Sequence, residues 1–242
     1  MPYLSRIYLN PLRTKTQQFL RSPQALHAAI LGGISRQPVT ERVLWRLDTD
    51  NKHRATVLAL TDSHPSWEHL IEQGGWPESD DPQALIRPYE ALLDQIMRGR
   101  QFAMRLRANT VTATKSPTAP SPAQKEHLTT HPRPRGIRVP HRTAAHQLTW
   151  FTQRIEKWGF TLQQVDDVPA VQLTARERLQ FTKHADDTTG RTVTLQTGTF
   201  DAVVAIDDPD RAQRSLLEGV GAGKAYGLGL ITLAPPTTAE PH

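Results

Sequence analysis

Phe102-Ala103-Met104-Arg105-Leu106-Arg107-Ala108-Asn109 alternates in character, with Phe102, Met104 and Leu106 on one side of an extended chain and Arg105 and Arg107 on the other. A period of two marks a strand with one face in a core. Upstream, Pro88 is placed to open a helix whose Tyr89, Leu92, Leu93, Ile96 and Met97 form a stripe at helical spacing. Residues 62–82 are polar and rich in Pro, Gly and Asp, and read as a loop. Before them, Val43, Trp45 and Leu47 alternate with polar or outward positions, and Ala55 to Thr61 returns after Asp50-Asn51. Ser22-Pro23 combines an N-cap hydroxyl with proline at the first helical position, and that helix buries Leu26, Ala29 and Ile30 before Gly32-Gly33. Tyr3 to Asn10 supplies the first strand. The order is β-α-β-β-α-β, a ferredoxin-like arrangement closed by the 102–109 strand, so a first domain is expected over 1–110.

Residues 111–135 hold Thr, Ser, Pro, Lys and His with little to bury, and are expected to form a flexible linker. A second unit over 136–235 opens with Thr143 capping a helix of Ala144, Leu148, Phe151, Ile155 and Trp158, ended by Gly159. Gln172 to Lys183 and Arg191 to Ile206 read as a long hairpin around Asp186-Asp187-Thr188-Thr189-Gly190. A helix over 208–218 and an apolar strand over 228–233 complete it, leaving a tail at 236–242. The expected fold class is α+β, two tandem ferredoxin-like domains, the second less regular.

Between that helix and strand lies Gly219-Val220-Gly221-Ala222-Gly223-Lys224-Ala225-Tyr226-Gly227-Leu228-Gly229-Leu230, which holds five of the chain's 14 glycines. Glycine lets a backbone approach a ligand with no Cβ in the way. A turn of this kind can lay N–H groups and the Lys224 cation along a phosphodiester. It is no phosphate-binding Walker loop: residue 218 is Glu where Gly is required, Ala225 replaces the hydroxyl, and the order is helix to strand. A tight connection with no ligand is the plainer reading of the loop alone.

The 242 residues include no cysteine, which removes disulfides, thiolate metal sites and thiol nucleophiles, and a reducing cytoplasm is compatible. No stretch approaches a membrane span or a signal peptide, so no membrane partner is expected. Formal charge is +5, and the basic residues cluster. Arg133, Arg135, Arg138 and Arg142 share one acid-free segment, while Arg98, Arg100, Arg105 and Arg107 share another. Two such clusters beside structured elements favour nucleic acid over a merely solvated face.

Ten histidines invite metal readings. His127 and His131 sit in the linker without the glutamate of a zincin, and His141 and His146 lack carboxylate company, so no metal or other cofactor is called for. No Gly-x-Ser-x-Gly occurs. His27 stands one turn into the first helix, beside the Leu26/Ile30 stripe and on a flank with Gln24 and Leu31, where it can face a groove between domains. Taken alone, an ordinary surface histidine is the plainer reading.

In combination these stretches resemble the CRISPR repeat endoribonucleases of type I-E systems, the CasE family. Tyr3-Leu4-Ser5-Arg6-Ile7-Tyr8-Leu9 with Leu26-His27 resembles the family's start. Phe102 to Asn109 resembles the last strand of its first domain. Arg135-Gly136-Ile137-Arg138-Val139-Pro140, with the helix carrying Gln147-Leu148-Thr149-Trp150, resembles the opening of its second. Gly219 to Gly229 with Lys224, followed by Leu230-Ile231-Thr232-Leu233-Ala234-Pro235, resembles its glycine-rich signature.

The resemblance implies binding of the stem-loop of precursor CRISPR RNA and one cut at the 3′ base of the stem, without metal. The product then stays on the enzyme as part of the Cascade complex. It implies catalytic roles for His27 and Lys224, with Gln24 where the family often carries a tyrosine and cleavage slower for that reason. Glutamine is neither general acid nor base, although it can hydrogen-bond a phosphate or 2′-hydroxyl. RNA contacts are expected from Arg36, Arg105, Arg107, Arg133, Arg135, Arg138, Arg142, Arg176, Arg178, Lys183, Arg191, Gly221, Gly223 and Tyr226. A non-catalytic RNA-binding subunit, a metal-dependent nuclease and a generic base-stacking binder remain the alternatives.

Overall fold

A computed structural model describes residues 1–130, 136–183 and 191–236. The first unit runs β1 (Tyr3–Leu9), α1 (Thr14–Arg21), α2 (Pro23–Leu31), β2 (Leu44–Asn51), β3 (Arg54–Thr61), α3 (Glu68–Gly74), β4 (Ala84–Pro88) and the single turn α4 (Glu90–Leu93). Its antiparallel sheet has the order β2-β3-β1-β4, with Ile7 opposite Val57 and Ser5 opposite Ile86. Period-two burial explains the register: Ile7, Leu9, Val57 and Ala59 fall on one face and close over Phe19, Leu26, Ile30 and Leu70 from the helices.

The chain continues through β5 (Gln101–Asn109), β6 (Val111–Thr114), α5 (Pro122–Thr130), β7 (Ile137–Pro140) and α6 (Ala144–Ile155). Short strands β8 (Phe160–Leu162), β9 (Gln164–Val165) and β10 (Val168–Pro169) follow. Then come β11 (Val171–Lys183), β12 (Arg191–Ile206), α7 (Pro209–Glu218) and β13 (Ile231–Ala234). The second sheet has the order β11-β12-β5-β13, with β8 on the end of β12. Counting β5, α6, β11, β12, α7 and β13 as its six elements, the second unit repeats the 2-3-1-4 strand order of the first. Two tandem ferredoxin-like units of α+β class are therefore present, and α5 with the β6/β7 ribbon is inserted into the second.

Several expectations need correction. The 102–109 strand does not close the first sheet. It is a central strand of the second, with Leu106 opposite Phe200 on one side and Ile231 on the other. The first unit is closed by β4, whose short Ala84-Leu85-Ile86 run is hidden when Pro88 is read as a helix start. Alternation identifies a strand but not its partner.

The stripe after Pro88 gives one helical turn, because Tyr89 and Ile96 are buried while Met97 is exposed. The 62–82 loop contains α3, whose single core anchor, Leu70, offers too little periodicity to read. The polar helix α1 buries only Thr16 and Phe19 and is illegible for the same reason. Within 111–135, Val111 to Thr114 pairs with Ile137 to Pro140, and α5 stands where flexible chain was expected.

The expected caps are present. The hydroxyl of Ser22 accepts the Ala25 N–H at 3.2 Å and that of Thr143 accepts the His146 N–H at 3.2 Å, while Gly159 ends its helix at φ 90°. The two sheets are joined by shared core: Leu44, Leu60 and Tyr89 pack with Leu106, Leu216, Val220 and Leu230. Polar ties reinforce that junction. Arg46, 2% exposed, grips Asp48 through two hydrogen bonds (2.8 and 2.9 Å) and donates to the Arg105 carbonyl (3.0 Å) and to Thr232 Oγ1 (2.7 Å).

Candidate active site and nucleic-acid interface

The junction brings the glycine-rich loop against α2. Lys224–Tyr226 form a single 3-10 turn that packs on α2 and β2, so Lys224 and His27 approach from different units. Two loop glycines have strict reasons to be glycine. Gly227 lies at φ 75°, and a Cβ there would meet the Trp45 ring at 2.5 Å; Gly229 lies at φ 89° with its would-be Cβ against the Val220 carbonyl. Gly223 starts the turn, its carbonyl accepting the Tyr226 N–H at 2.8 Å.

His27 is half-buried on α2, with Gln24 one turn earlier on the same flank. Its Nδ1 accepts the Trp45 Nε1–H at 3.1 Å, and the rings lie nearly parallel with centroids 6.4 Å apart. Burial pushes the His27 pKa below its usual value, favouring the neutral ring. Lys224 is also lowered, first by burial and then by the Arg42 charge, with Glu218 opposing. Arg42 itself donates to the Glu218 carbonyl at 3.1 Å. A neutral imidazole and a lysine beside a glycine turn can together move a proton and stabilise a phosphate.

Tyr226 belongs to the same turn as Lys224 and also faces the basic surface. It lines a 390 Å³ cleft with Pro23, Trp45 and Arg107, and it also lines a 740 Å³ cavity with Arg138, Arg142, Arg178 and Asn109. Its ring packs on Phe181 of the β11/β12 hairpin at 4.8 Å between centroids. A third cavity of 340 Å³ joins Arg138 to Arg154, Lys157, Gly221 and Ala222. Of the expected RNA-contacting residues, Arg138, Arg142, Arg178, Gly221 and Tyr226 are thus brought together.

Others are not. Arg105 is held by Asp201 (2.6 Å) and by Asp50, and the hydrogen bonds it donates to these carboxylates, Asp201 above all, raise its pKa. Arg107 pairs with Glu177 at 2.5 Å. Arg176 donates to Gln147 Oε1 at 3.0 Å and to the Arg142 carbonyl. Arg105 through Asp50 and Arg107 through the Leu47 carbonyl (3.4 Å) also reach the first unit, and Arg176 braces the hairpin, so the donors of all three already meet protein acceptors. Arg36 is exposed in the loop after α2 and lines neither basic cavity. Lys183 and Arg191 pair across the hairpin, but their side chains, like Arg133 and Arg135 altogether, lie outside the described residues.

Sequence reasoning missed Trp45, Arg42, Arg154, Lys157 and Asn109. Trp45 read simply as a core residue. Asn109, 4% exposed, leaves its buried Oδ1 without a partner among the described residues, at the wall shared by two cavities. Among the described residues no three His, Asp or Glu side chains form a metal cluster.

Two ferredoxin-like units, with a histidine and a lysine brought together at their junction and a basic cavity lined by a tyrosine of the lysine's own turn, define a nucleic-acid-handling protein. The chain belongs to the CRISPR associated protein family, whose profile matches residues 2–235. It is 29% identical over 237 residues to the CRISPR-associated endoribonuclease Cse3 of Thermus thermophilus, covering 96% of this chain and 100% of that one. A structure of Thermus thermophilus Cse3 bound to an RNA representing a pre-cleavage complex matches with a TM-score of 0.70 at 28% identity, over 97% of this chain and 99% of the other. A chain of a CRISPR RNA-guided surveillance complex in a pre-nicking state shares the fold, with a TM-score of 0.57 at 19% identity over 97% and 100% of the two chains.

Proposed function

We infer that this protein is an endoribonuclease of CRISPR RNA processing. It holds the repeat stem-loop, cuts the precursor once at the 3′ base of the stem, and stays with its product in the cytoplasm as a Cascade subunit. The observation that carries the reading is the turn Lys224–Tyr226, which packs on the helix of His27 while its Tyr226 lines the cavity of Arg138, Arg142 and Arg178. The RNA-bound Thermus relative supports it. No described helix is long and apolar enough to cross a membrane.

Cleavage is a transesterification. The 2′-oxygen bonds to the adjacent phosphorus as the bond from phosphorus to the 5′-oxygen breaks; the 2′-hydroxyl gives up its proton and the leaving oxygen gains one. The products are a 2′,3′-cyclic phosphate and a 5′-hydroxyl. His27 meets the reacting phosphate through Nε2, since Nδ1 is occupied by Trp45. Lys224 and loop N–H groups oppose the charge that builds on the phosphate oxygens. The stem is gripped by shape and phosphate contact, because A-form RNA hides its bases in a deep, narrow groove.

The direct test is single-turnover cleavage of the cognate repeat RNA in EDTA, with end-group analysis. Cyclic phosphate and 5′-hydroxyl ends are expected at undiminished rate; a cut abolished by EDTA, or one leaving a 5′-phosphate, would sink the mechanism. Tight binding with no cut would instead mean a binding subunit, the reading that Gln24 at the family's tyrosine position favours.

A second expectation concerns the grip. Arg138→Ala, Arg142→Ala and Arg178→Ala should each weaken stem-loop binding. Each should also reduce the slope of log affinity against log salt by about 1 for every phosphate the protein ceases to neutralise. Unchanged slopes in all three would remove this cavity from the interface.

A further inference from the structure

The hydrogen bond between Trp45 and His27 has chemical content beyond packing. An indole N–H only donates, so Nδ1 must accept, and an accepting Nδ1 carries no proton. In the neutral ring the proton then sits on Nε2. We propose that Trp45 is a positioning residue for the cleavage chemistry: it fixes His27 in the Nε2–H tautomer, so that the histidine faces the scissile phosphate as a hydrogen-bond donor rather than as a base. A neutral imidazole acting as an electrophile toward developing negative charge has physical precedent. This inference rests on the nuclease reading above.

The surroundings make the arrangement rigid. Trp45 is 2% exposed on β2, and its ring faces Gly227, where a Cβ would stand 2.5 Å from it. The glycine-rich loop of the second unit therefore backs the indole that aims a histidine of the first. A larger residue at 227 would push Trp45 toward α2, which gives this glycine a role in the chemistry as well as in the turn. Charged or titratable groups on the elements packed about His27 are Lys15 and Arg21 on α1, Arg46, Asp48 and Asp50 on β2, and Lys224 and Tyr226 in the turn. None of them substitutes for an N–H donated to Nδ1, as the Trp45 bond already occupies that lone pair.

The test is the tautomer itself, read by ¹⁵N NMR on the free protein at neutral pH. The Nε2–H form is expected in the native protein, and a dominant Nδ1–H form overturns the proposal without any reference to cleavage. Trp45→Phe keeps a ring against Gly227 and removes the donor. In that variant the Nε2–H preference should relax to a mixture and the His27 pKa should rise, since the Trp45 bond favours only the neutral ring. The acid limb of the single-turnover rate should then move to higher pH, and the plateau rate should fall about tenfold with stem-loop affinity unchanged. A purely structural tryptophan would lower stability while leaving tautomer and pH profile in place, and that result defeats the proposal. Should Trp45→Phe fail to fold, the native tautomer still decides.

Discussion

His27→Ala should lower the single-turnover cleavage rate by about 10²- to 10³-fold, the range expected when a preorganised donor to developing negative charge is removed, while stem-loop affinity stays within about threefold. The separation is expected because His27 lies at the junction of the units, on α2, whereas the cavity of Arg138, Arg142 and Arg178 is built by the second unit alone. The pH profile follows from burial. With the His27 pKa lowered, the neutral ring persists below the usual histidine range. Protonating Nδ1 would break the bond from Trp45, so the neutral ring is the working form. The rate should therefore be flat near neutrality and fall as pH drops through the lowered pKa, with a midpoint under 6.5. A rate that instead falls as pH rises through that range would make imidazolium the active species. A His27→Ala rate near native would remove this residue from the site altogether.

Arg46→Ala is expected to destabilise the fold by about 3 kcal/mol, the lower end of what breaking a buried ion pair costs, or on the order of 10 °C in Tm for a chain of this length. The guanidinium is almost fully buried and serves three partners: Asp48 on its own strand, the Arg105 carbonyl on β5 and Thr232 on β13. Truncation leaves Asp48 facing a poorly solvated wall and removes the donor shared by Thr232 Oγ1 and the Arg105 carbonyl, which keep only the long 3.4 Å bond from one to the other. The partial exposure of Asp48, 17% of its side chain, holds the cost to the low end. Changing both partners, Arg46→Met with Asp48→Leu, should recover most of the stability, because no charge then remains unpaired. Because Arg46 joins the two sheets, the single variant should also lose cleavage as Lys224 shifts out of register with His27. Thermal unfolding within about 0.5 kcal/mol of native, the range of ordinary surface substitutions, would show that the shared core alone sets the docking.

The glycine-rich stretch, the two N-caps and the long hairpin were legible because each is specified locally: by φ, by a hydroxyl beside a helix start, by alternation over many residues. The 3.6-residue stripe of α6 was equally clear, since Phe151 and Ile155 reach the core, Leu148 packs against it, and Trp158 joins it just past the helix, while Ala144 stays exposed. Short elements were not. Each of α1, α3 and β4 has only one or two core anchors or a few apolar residues, and periodicity needs more than that to show.

His27, Gln24 and Lys224 could be named as candidates, and the family to which they point could be named with them. Whether a given arginine is free to meet RNA could not, because that depends on carboxylates distant in the chain: Asp201 lies 96 residues from Arg105, and Glu177 lies 70 from Arg107. The same holds for the 101–109 strand, whose alternating residues fit either sheet. The sequence by itself determined the types of the longer elements, the absence of thiol chemistry, the basic character and the cast of the site. Only the tertiary structure decided which sheet the central strand joins, which arginines are already paired, and that an indole hydrogen holds the histidine. Local chemistry sets what a segment can form, but the choice among partners is made by packing across the chain.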